Sequence, residues 1–496
     1  MSEARLPVYA SAPLPGLLDR VWPHSGHADR AGMPATSLGL AALAGVTAGS
    51  ALPDASPGLG LFVVGMLVAA ATLPSTAGQD RLHRVAYGSL GALLLAVVLV
   101  HDAGWVVSLC LLATVAVSAY ALSGGRTLTG VLLAGLSLPL AGLRALPWIG
   151  RGVRTRLPRG GTSWGPALRA AAASTALLLV FGALFASADA VFASLLPEAD
   201  VGDLPVRLPV RILVFALFTG LAASAAYLAA VPPRWDVLAP SPARPVRPFE
   251  WIAPIAALLT LFAIFVGVQL TVLLGGDDYV RQTAGLTHAE HARSGFGQLV
   301  AVTLLTLAVV GAAARWAPRS SPSERRLLRV LLGTLCVLTL AVVVSALHRL
   351  HLYEEAFGFT RLRLFMNVFE SWLGVLVALV LVAGVRLRAS WLPRAVVATA
   401  AIALLSLAAV NPDGFIADRN VARFEATGKI DVSYLQQLSA DAVPALDRLR
   451  EPTRSCALHA IAVTEDDGIA GWNLGRDRAR SLLADRPLSS STACST

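Results

Sequence analysis

Long apolar runs separated by short charged gaps occupy most of the chain between residues 37 and 410. The hydrocarbon core of a bilayer is about 30 Å thick, so a helix needs roughly 17 to 25 apolar residues to cross it. The sequence therefore predicts an all-α polytopic integral membrane protein with about eleven transmembrane helices. The runs, of which the first three are short, are 37–51, 58–73, 86–100, 104–122, 170–186, 209–231, 252–274, 296–314, 328–347, 364–385 and 395–410.

Composition supports this class. Of the 496 residues 55% are hydrophobic and 14% are charged, whereas a soluble domain carries about 25% charged residues. A cytosolic enzyme, a disordered regulator and a collagen-like fibre are therefore excluded. The net charge of +9 comes mainly from arginine, since Lys429 is the only lysine among the 40 basic residues. Most arginines before residue 411 lie in the gaps, where positive charge sets orientation, so we expect the lipid bilayer as partner and no nucleic acid.

The gaps between the runs alternate in charge. Arginine clusters fall within 81–84, 144–159, 234–247, 315–329 and 386–394. Acids fall in the alternate gaps, at 54, 102, 189–203, 277–290 and 354–355, accompanied by some arginines. Because cytoplasmic loops carry the excess of positive charge, this alternation predicts a cytoplasmic N-terminus and an external C-terminus. Eleven spans fit the alternation better than ten or twelve.

Two segments before the last span stay outside this count. Residues 1–36 form a polar segment that we expect in the cytoplasm, and they lack the pattern of a cleaved signal peptide. Residues 127–143 are apolar, but counting them as a span would place every later arginine cluster on the wrong side. Their leucines recur at helical spacing around Pro139, which favours an in-plane or re-entrant helix on the cytoplasmic side.

After residue 410 the composition becomes mixed polar and charged, and residues 411–496 are predicted to form a small external helical tail. The Asn-Pro-Asp-Gly sequence at 411–414 is a turn signal. Asp431 and Asp441 are placed to cap two helices, and 472–483 predicts another. Cys456 and Cys494 both lie in this tail, outside the reducing cytoplasm, and form a candidate disulfide.

Signatures of catalysis are missing from the sequence. It contains no P-loop, no GxSxG, no HExxH, no kinase motif set and no CxxC. His348, His351 and Glu355 have a spacing that could approach a metal on one helix. The same stretch is rich in arginine, which is more typical of a polar interfacial link between two spans. We therefore expect no enzyme activity, no metal and no cofactor.

Glu370 lies about two turns inside a predicted span and is the only acid so placed. An intramembrane carboxyl is costly and indicates a functional group. The alternatives are pairing with Arg361 or Arg363 near the interface, or a carboxyl that faces the helix bundle. Gln269 and Asn367 are expected to make hydrogen bonds between helices.

Several stretches resemble a bacterial membrane-protein family of unknown function, domain of unknown function 4153/4173. They run in order over more than half of the chain, and Phe359 stands where leucine is more usual. The resemblance implies a multi-span bacterial inner-membrane protein with an outward C-terminal helical segment, and it transfers no catalytic residue. The stretches are Leu184 to Asp189 with Val191 and Phe192, Gly285 to Thr287 with Ala292 to Phe296, Leu352 and Tyr353 with Phe357 to Arg361, Asn411 and Pro412 with Ile416, Ala417 and Asn420, and Asp431 to Leu446.

Two classes of function stay open at this point. The first is a non-enzymatic envelope scaffold or sensor-like protein that uses its outward loops and tail, with another membrane or envelope protein as partner. The second is a secondary transporter or channel-like protein for a small solute, for which Glu370 is the intramembrane candidate. We expect the tail to pack over the outward loops, with ion pairs between arginines and acids or ordinary interfacial arginines. The other candidate residues are Asp189, Arg293, Tyr353, Glu354, Arg361, Asn411, Asn420, Arg423 and Asp441.

Overall fold

The structure, a computed structural model, describes most of the chain. It covers residues 17–22, 30–76, 80–156, 204–240, 246–284, 296–387, 389–461 and 468–489, with isolated helical positions between 174 and 185. Every regular element in these ranges is helical. In chain order the α-helices are α1 (Leu17–Val21), α2 (Ala35–Ala51), α3 (Leu59–Ala70), α4 (Arg81–Val100), α5 (Gly104–Ser123), α6 (Leu128–Arg154), α7 (Leu204–Ala230), α8 (Pro248–Ala284), α9 (Phe296–Trp316), α10 (Pro322–Phe357), α11 (Arg361–Arg386), α12 (Leu392–Ala409), α13 (Pro412–Thr427), α14 (Val432–Leu435), α15 (Val443–Leu446), α16 (Thr453–His459) and α17 (Leu474–Asp485).

Nine helices of the described residues are long and apolar enough to cross a membrane. They are α4 to α12, and two shorter apolar helices, Ala35–Ala51 and Leu59–Ser75, precede them. The predicted all-helical polytopic class is confirmed. The count of eleven stays a prediction, because most of the run 170–186 lies outside the described residues. Length and composition alone also place α6, which the charge pattern left out of the count, among the nine.

Helix α10 extends well beyond the apolar run 328–347. It begins with a capping box between Ser321 and Glu324 and has Pro322 in its first turn, where a missing amide hydrogen costs nothing. It ends at Phe357 and is followed by Gly358, whose φ of 80° suits glycine. The polar link predicted between the two spans is therefore shorter than expected: residues 348–357 belong to the helix, and 358–360 make the connection.

Helices α2 and α7 run antiparallel in close contact. A Cβ at Gly45 would lie 2.8 Å from the Phe215 carbonyl oxygen, and one at Gly49 would lie 2.8 Å from that of Arg211. Glycine at both positions allows the backbones to approach, as small residues do between membrane helices. A step of four residues forward along α2, from 45 to 49, thus corresponds to a step of four residues back along α7, from 215 to 211. The start of α2 therefore lies beside the end of α7.

This antiparallel pair defines one end of the bundle. There the Trp22 indole donates to the carbonyl of Val231 (2.6 Å), and the Met33 amide donates to the carbonyl of Trp148 (3.2 Å). At the opposite end Asp54, in the connection from α2 to α3, forms ion pairs with Arg207 and Arg211 near the start of α7. The described parts of the arginine-rich gaps lie at the first end, which we call the arginine-rich end.

The tail, α13 to α17, packs against the second end of the bundle. Its buried residues Ile416, Leu438 and Val443 belong to the same apolar cluster as Val106 of α5 and Leu407 of α12. Because a continuous core joins tail and bundle, the tail is part of one packed body.

Two local predictions for the tail are revised. Residues 412–414, predicted as a turn, form the first turn of helix α13, while Asn411 takes the left-handed conformation before it (φ 53°). The Asp431 side chain caps α14 by accepting from the Tyr434 amide, as predicted. Asp441 caps no helix, because its carboxylate is used by the bundle.

Candidate functional site: the interface between tail and bundle

Asp413, in the first turn of α13, is completely buried and binds the bundle through two side chains. Its carboxylate accepts two hydrogen bonds from the Arg361 guanidinium, one of them from Nε at 2.9 Å. It also accepts one from the Trp105 indole at 3.0 Å. The amide of Ser439 donates to the same carboxylate at 2.8 Å. Two bonds from one guanidinium are a strong, directional contact. This ion pair joins the start of α11 to the tail.

The electrostatics of this pair favour the charged forms. Burial by itself would raise the pKa of Asp413, but the Arg361 guanidinium and the other donors outweigh it and hold that pKa below its ordinary value. Arg361 is also fixed through its backbone, because its amide donates to the Tyr434 hydroxyl at 2.7 Å. A buried carboxylate thus has its hydrogen-bonding capacity filled.

Asp441 is the second buried acid of the interface. One of its carboxylate oxygens accepts the amides of Asp102 (2.8 Å) and Ala103 (2.9 Å), in the short connection from α4 to α5. The His101 ring lies 3.9 Å from the same oxygen. Burial raises the pKa of Asp441 from its ordinary value of 3.8 to about 6, in spite of these amides. Of the two buried aspartates from the tail, Asp441 therefore has a raised pKa and Asp413 a lowered one.

Arg476 and Asn473, at the start of α17, bind the same connection from the other side. The buried Arg476 guanidinium pairs with Asp102 and donates to the carbonyl of Pro57 at 3.1 Å. The Asn473 amide group donates to the carbonyls of Val98 (2.8 Å) and His101 (2.9 Å). These acceptors are carbonyls left free at the end of α4. The contacts join residues more than 370 positions apart in the sequence.

The connection from α10 to α11 is held by α13. The Asn420 side chain accepts from the Phe359 amide (3.3 Å) and donates to the Phe359 carbonyl (2.9 Å). Arg423 donates to the Ala356 carbonyl at 2.8 Å. A Cβ at Gly358 would overlap Asn420, so glycine is required there for close approach as well as for its positive φ.

Tyr353 and Glu354 lie beside this interface, on the last turns of α10. The Arg363 guanidinium stacks over the Tyr353 ring at 4.3 Å, a cation–π contact. Glu354 is buried and accepts from Asn367 at 2.6 Å, which gives Asn367 the interhelical role predicted for it. Gln269 likewise accepts from Ser345 and Arg349 of α10. Among the described residues, neither Tyr353 nor Glu354 forms a hydrogen bond or an ion pair with the tail.

Not all candidate residues fall within the described ranges. Asp189, Arg293 and Cys494 lie outside them. Cys456 is buried in α16 and is not a free thiol, and its pairing with Cys494 stays a prediction. Asn411 is at the junction of α12 and α13, where its carbonyl accepts from the Phe415 amide at 2.7 Å.

Sequence reasoning missed the residues that carry most of this interface. Arg361 pairs with Asp413, which had been assigned only to a turn, and Asp102, Asn473 and Arg476 had no role. One signal was available: Asp102 stands in a gap of three residues between two apolar helices, where an acid without a partner is costly. The identity of that partner could not be obtained from spacing.

Glu370 is a buried acid of α11, inside the bundle. It is completely buried on α11, and the Thr303 hydroxyl on α9 lies 3.5 Å from one carboxyl oxygen. Its other oxygen has no hydrogen-bond partner among the described residues. Arg361 and Arg363 are engaged elsewhere, so Glu370 faces the bundle instead of pairing with them.

Metal ligands do not cluster in the described part of the chain. No group of three or more His, Cys, Asp or Glu side chains there is placed to hold a metal ion. His351 and Glu355 pair at 3.3 Å on an exposed face of α10.

A family model, described as domain of unknown function (DUF4153), matches residues 89–449. The match covers more than half of the chain, from within α4 through α15, the third helix of the tail. The chain belongs to the DUF4153 family. No curated protein and no solved structure matches it. The family match ends at 449, so in this DUF4153 protein Asp413 and Asp441 lie inside the matched region and Arg476 lies beyond it.

Proposed function

We propose that this DUF4153 protein is a non-catalytic scaffold or sensor-like protein of the bacterial inner membrane, with a tail that offers a binding surface to another envelope protein. The observation that carries the proposal is the buried Asp413–Arg361 ion pair. It fixes the tail to the bundle through a completely buried carboxylate whose hydrogen-bonding capacity is filled. A surface held in this way keeps one orientation relative to the membrane, which a partner in the membrane or envelope needs.

The orientation is part of the proposal. The tail contacts the connections at 57–60, 98–103 and 356–361, and the charge alternation places all three outside. The arginine-rich end is then cytoplasmic. Reporter fusions after Arg247 should behave as cytoplasmic and fusions after Thr427 as external, and the reverse labels would contradict the proposed orientation.

The test is site-specific photo-crosslinking in intact cells. A photoreactive residue is placed at the exposed tail positions Glu425, Lys429 and Asp485 and, as controls, at the exposed Arg154 and Arg326 of the other end. We expect one discrete cross-linked protein from the tail positions alone.

The cross-link must also depend on how the tail is held. We expect its yield to fall in Asp413→Asn, in which the tail is released more often, and to stay unchanged in Asp418→Asn, which removes only an exposed ion pair of the same helix. An equal yield in the two variants would contradict the proposal, and so would the absence of a cross-link from every tail position.

A second candidate function, transport of a small solute coupled to protons, is favoured by Glu370. A completely buried carboxyl with one unpartnered oxygen among the described residues is a group that can exchange a proton. The test uses the purified protein in liposomes that contain a pH-sensitive dye. Transport predicts proton entry down an imposed gradient in the wild type and its loss in Glu370→Gln. Equal rates in the wild type, Glu370→Gln and empty liposomes would exclude this candidate.

A further inference from the structure

Helix α6 carries an unbroken apolar stripe on its exposed face. The leucines that define the stripe are each more than half exposed and recur at helical spacing. The stripe extends over 18 residue steps, or about 27 Å. Within this continuously described part of the chain, no charged side chain falls on that face between its first and last leucine. The leucines are Leu128, Leu132, Leu136, Leu143 and Leu146.

The opposite face of α6 is buried against the bundle. Ala141, Ala145 and Trp148 pack in one cluster with Leu122, from the last turn of α5, and with Ala222 to Ala229, from the last turns of α7. All of these neighbours are at the arginine-rich end. A long section of α6 therefore packs with the last turns of α5 and α7, which means that it crosses these two helices.

Both ends of α6 are anchored at that same end of the bundle. At its start, the Asp236 carboxylate accepts the amide (2.9 Å) and the hydroxyl (2.7 Å) of Thr127, and Asp236 lies six residues after the end of α7. Near its other end, the Trp148 carbonyl accepts from the amide of Met33, just before α2 begins. Because α2 begins beside the end of α7, the two anchors lie at the same height along the long axis of the bundle.

This geometry conflicts with a spanning helix. The 27 residues of α6 would extend about 40 Å, and a spanning helix must place its ends on opposite sides of about 30 Å of hydrocarbon. We infer that α6 lies in the plane of the membrane, within the leaflet at the arginine-rich end, with its leucine stripe against phospholipid acyl chains. The occupant of the stripe is lipid, because the stripe is as apolar as the surface of a spanning helix. It also lies beside the last turns of the spanning helices α5 and α7.

The experiment measures depth in the bilayer. Single cysteines replace Leu128, Leu136 and Leu143 in the full chain, are labelled with an environment-sensitive fluorophore and are reconstituted in liposomes. Quenching is compared for lipids with a nitroxide near the headgroup and near the end of the acyl chain. We expect the same quenching ratio at the three positions, within about twofold. The wild-type chain, treated with the same fluorophore, gives the blank for the four native cysteines, of which Cys110 and Cys336 are buried.

Helix α10 supplies the matched control. Val330, Val337 and Val344 are also more than half exposed and have similar spacing on a helix that runs from one end of the bundle to the other. Their quenching ratio must change along the series, since each step is about 10 Å. A ratio that changes along α6 as it does along α10 would overturn the inference.

Accessibility of the two ends gives an independent check. Arg126→Cys and Thr155→Cys, at exposed positions that flank α6, should react with an impermeant maleimide from the same side of the membrane. Reaction from opposite sides would likewise overturn the inference.

Discussion

Replacing Asp413 with asparagine keeps the shape of the side chain and removes its negative charge. Arg361 then loses its counter-ion. The asparagine NH2 group would also point at hydrogen-bond donors that bind the carboxylate in the wild type. Removing one partner of a buried ion pair costs about 3 to 5 kcal/mol. Because the Arg361 side chain is 33% exposed, water compensates part of this, and we expect a loss of about 2 to 4 kcal/mol in the free energy that holds the tail. The population of released tail should rise roughly 30- to 1000-fold.

Amide hydrogen exchange in lipid nanodiscs measures this free energy. Peptides from α13 and from 438–446 should exchange faster in Asp413→Asn by that factor, whereas peptides from the centre of α5 should not change. The matched control is Asp418→Asn on the same helix, because Asp418 and Arg448 form an ion pair in which both side chains are about half exposed. Such a pair contributes under about 1 kcal/mol.

A double-variant cycle separates the pair from general damage to the fold. Asp413→Asn combined with Arg361→Gln should cost less than the sum of the single variants, by at least about 1 kcal/mol. The reasoning is refuted if Asp413→Asn changes exchange in α13 by less than about 0.5 kcal/mol, or if Asp418→Asn changes it equally.

Three further predictions concern other contacts. Since burial raises the pKa of Asp441 to about 6 from 3.8, the contribution of Asp441 to holding the tail should be greatest below about pH 4. It should fall progressively as the pH rises through 6, by up to about 3 kcal/mol, and Asp441→Asn should remove this component of the pH dependence from the exchange of α13. Gly45→Ala should lower the thermal midpoint of the bundle, because its Cβ would overlap Thr219, whereas Gly39→Ala, with open space around it, should leave the midpoint unchanged or raise it. Asp236→Asn should speed hydrogen exchange in the first turn of α6 by roughly tenfold, because three donors from 126–127 lose a charged acceptor.

Each of these predictions has an outcome that contradicts it. For Asp441, comparison of the variant with the wild type is needed because the neighbouring His101 titrates with the opposite sign: burial lowers its pKa. A wild-type and a variant pH profile with the same shape would exclude Asp441 as the cause. For the glycines, equal midpoints of the two alanine variants would argue against close contact of α2 and α7. For Asp236, unchanged exchange in α6 would show that the carboxylate does not anchor the helix.

Much of the bundle was predictable because a bilayer leaves few choices. A run of apolar residues must be helical there, since an unpaired backbone amide in hydrocarbon costs several kcal/mol. The predicted runs at 104–122 and 364–385 therefore became α5 and α11 with small changes at their ends. In the tail, the cap at Asp431 was predictable because its partner, the Tyr434 amide, is three residues away.

The contacts of the interface were not predictable in the same way. Arg361 was singled out as a charged residue at an external boundary, and its partner Asp413 was not, because 52 residues separate them. Asp441 was read as a helix cap from its local sequence, yet its carboxylate binds amides more than 300 residues away. A buried polar group takes the donor that the packing brings to it, whatever its position in the chain.

Apolar composition by itself determined that this protein is a helical membrane protein, because the free energy of placing a segment in lipid depends mainly on its own residues. The tertiary structure decided how the segments are used. Helix α6 has the length and apolarity of a span, but the anchors at Thr127 and Trp148 hold both of its ends at one end of the bundle. Hydropathy measures how well a helix tolerates lipid, whereas its direction depends on where its ends are bound, and those contacts come from distant residues.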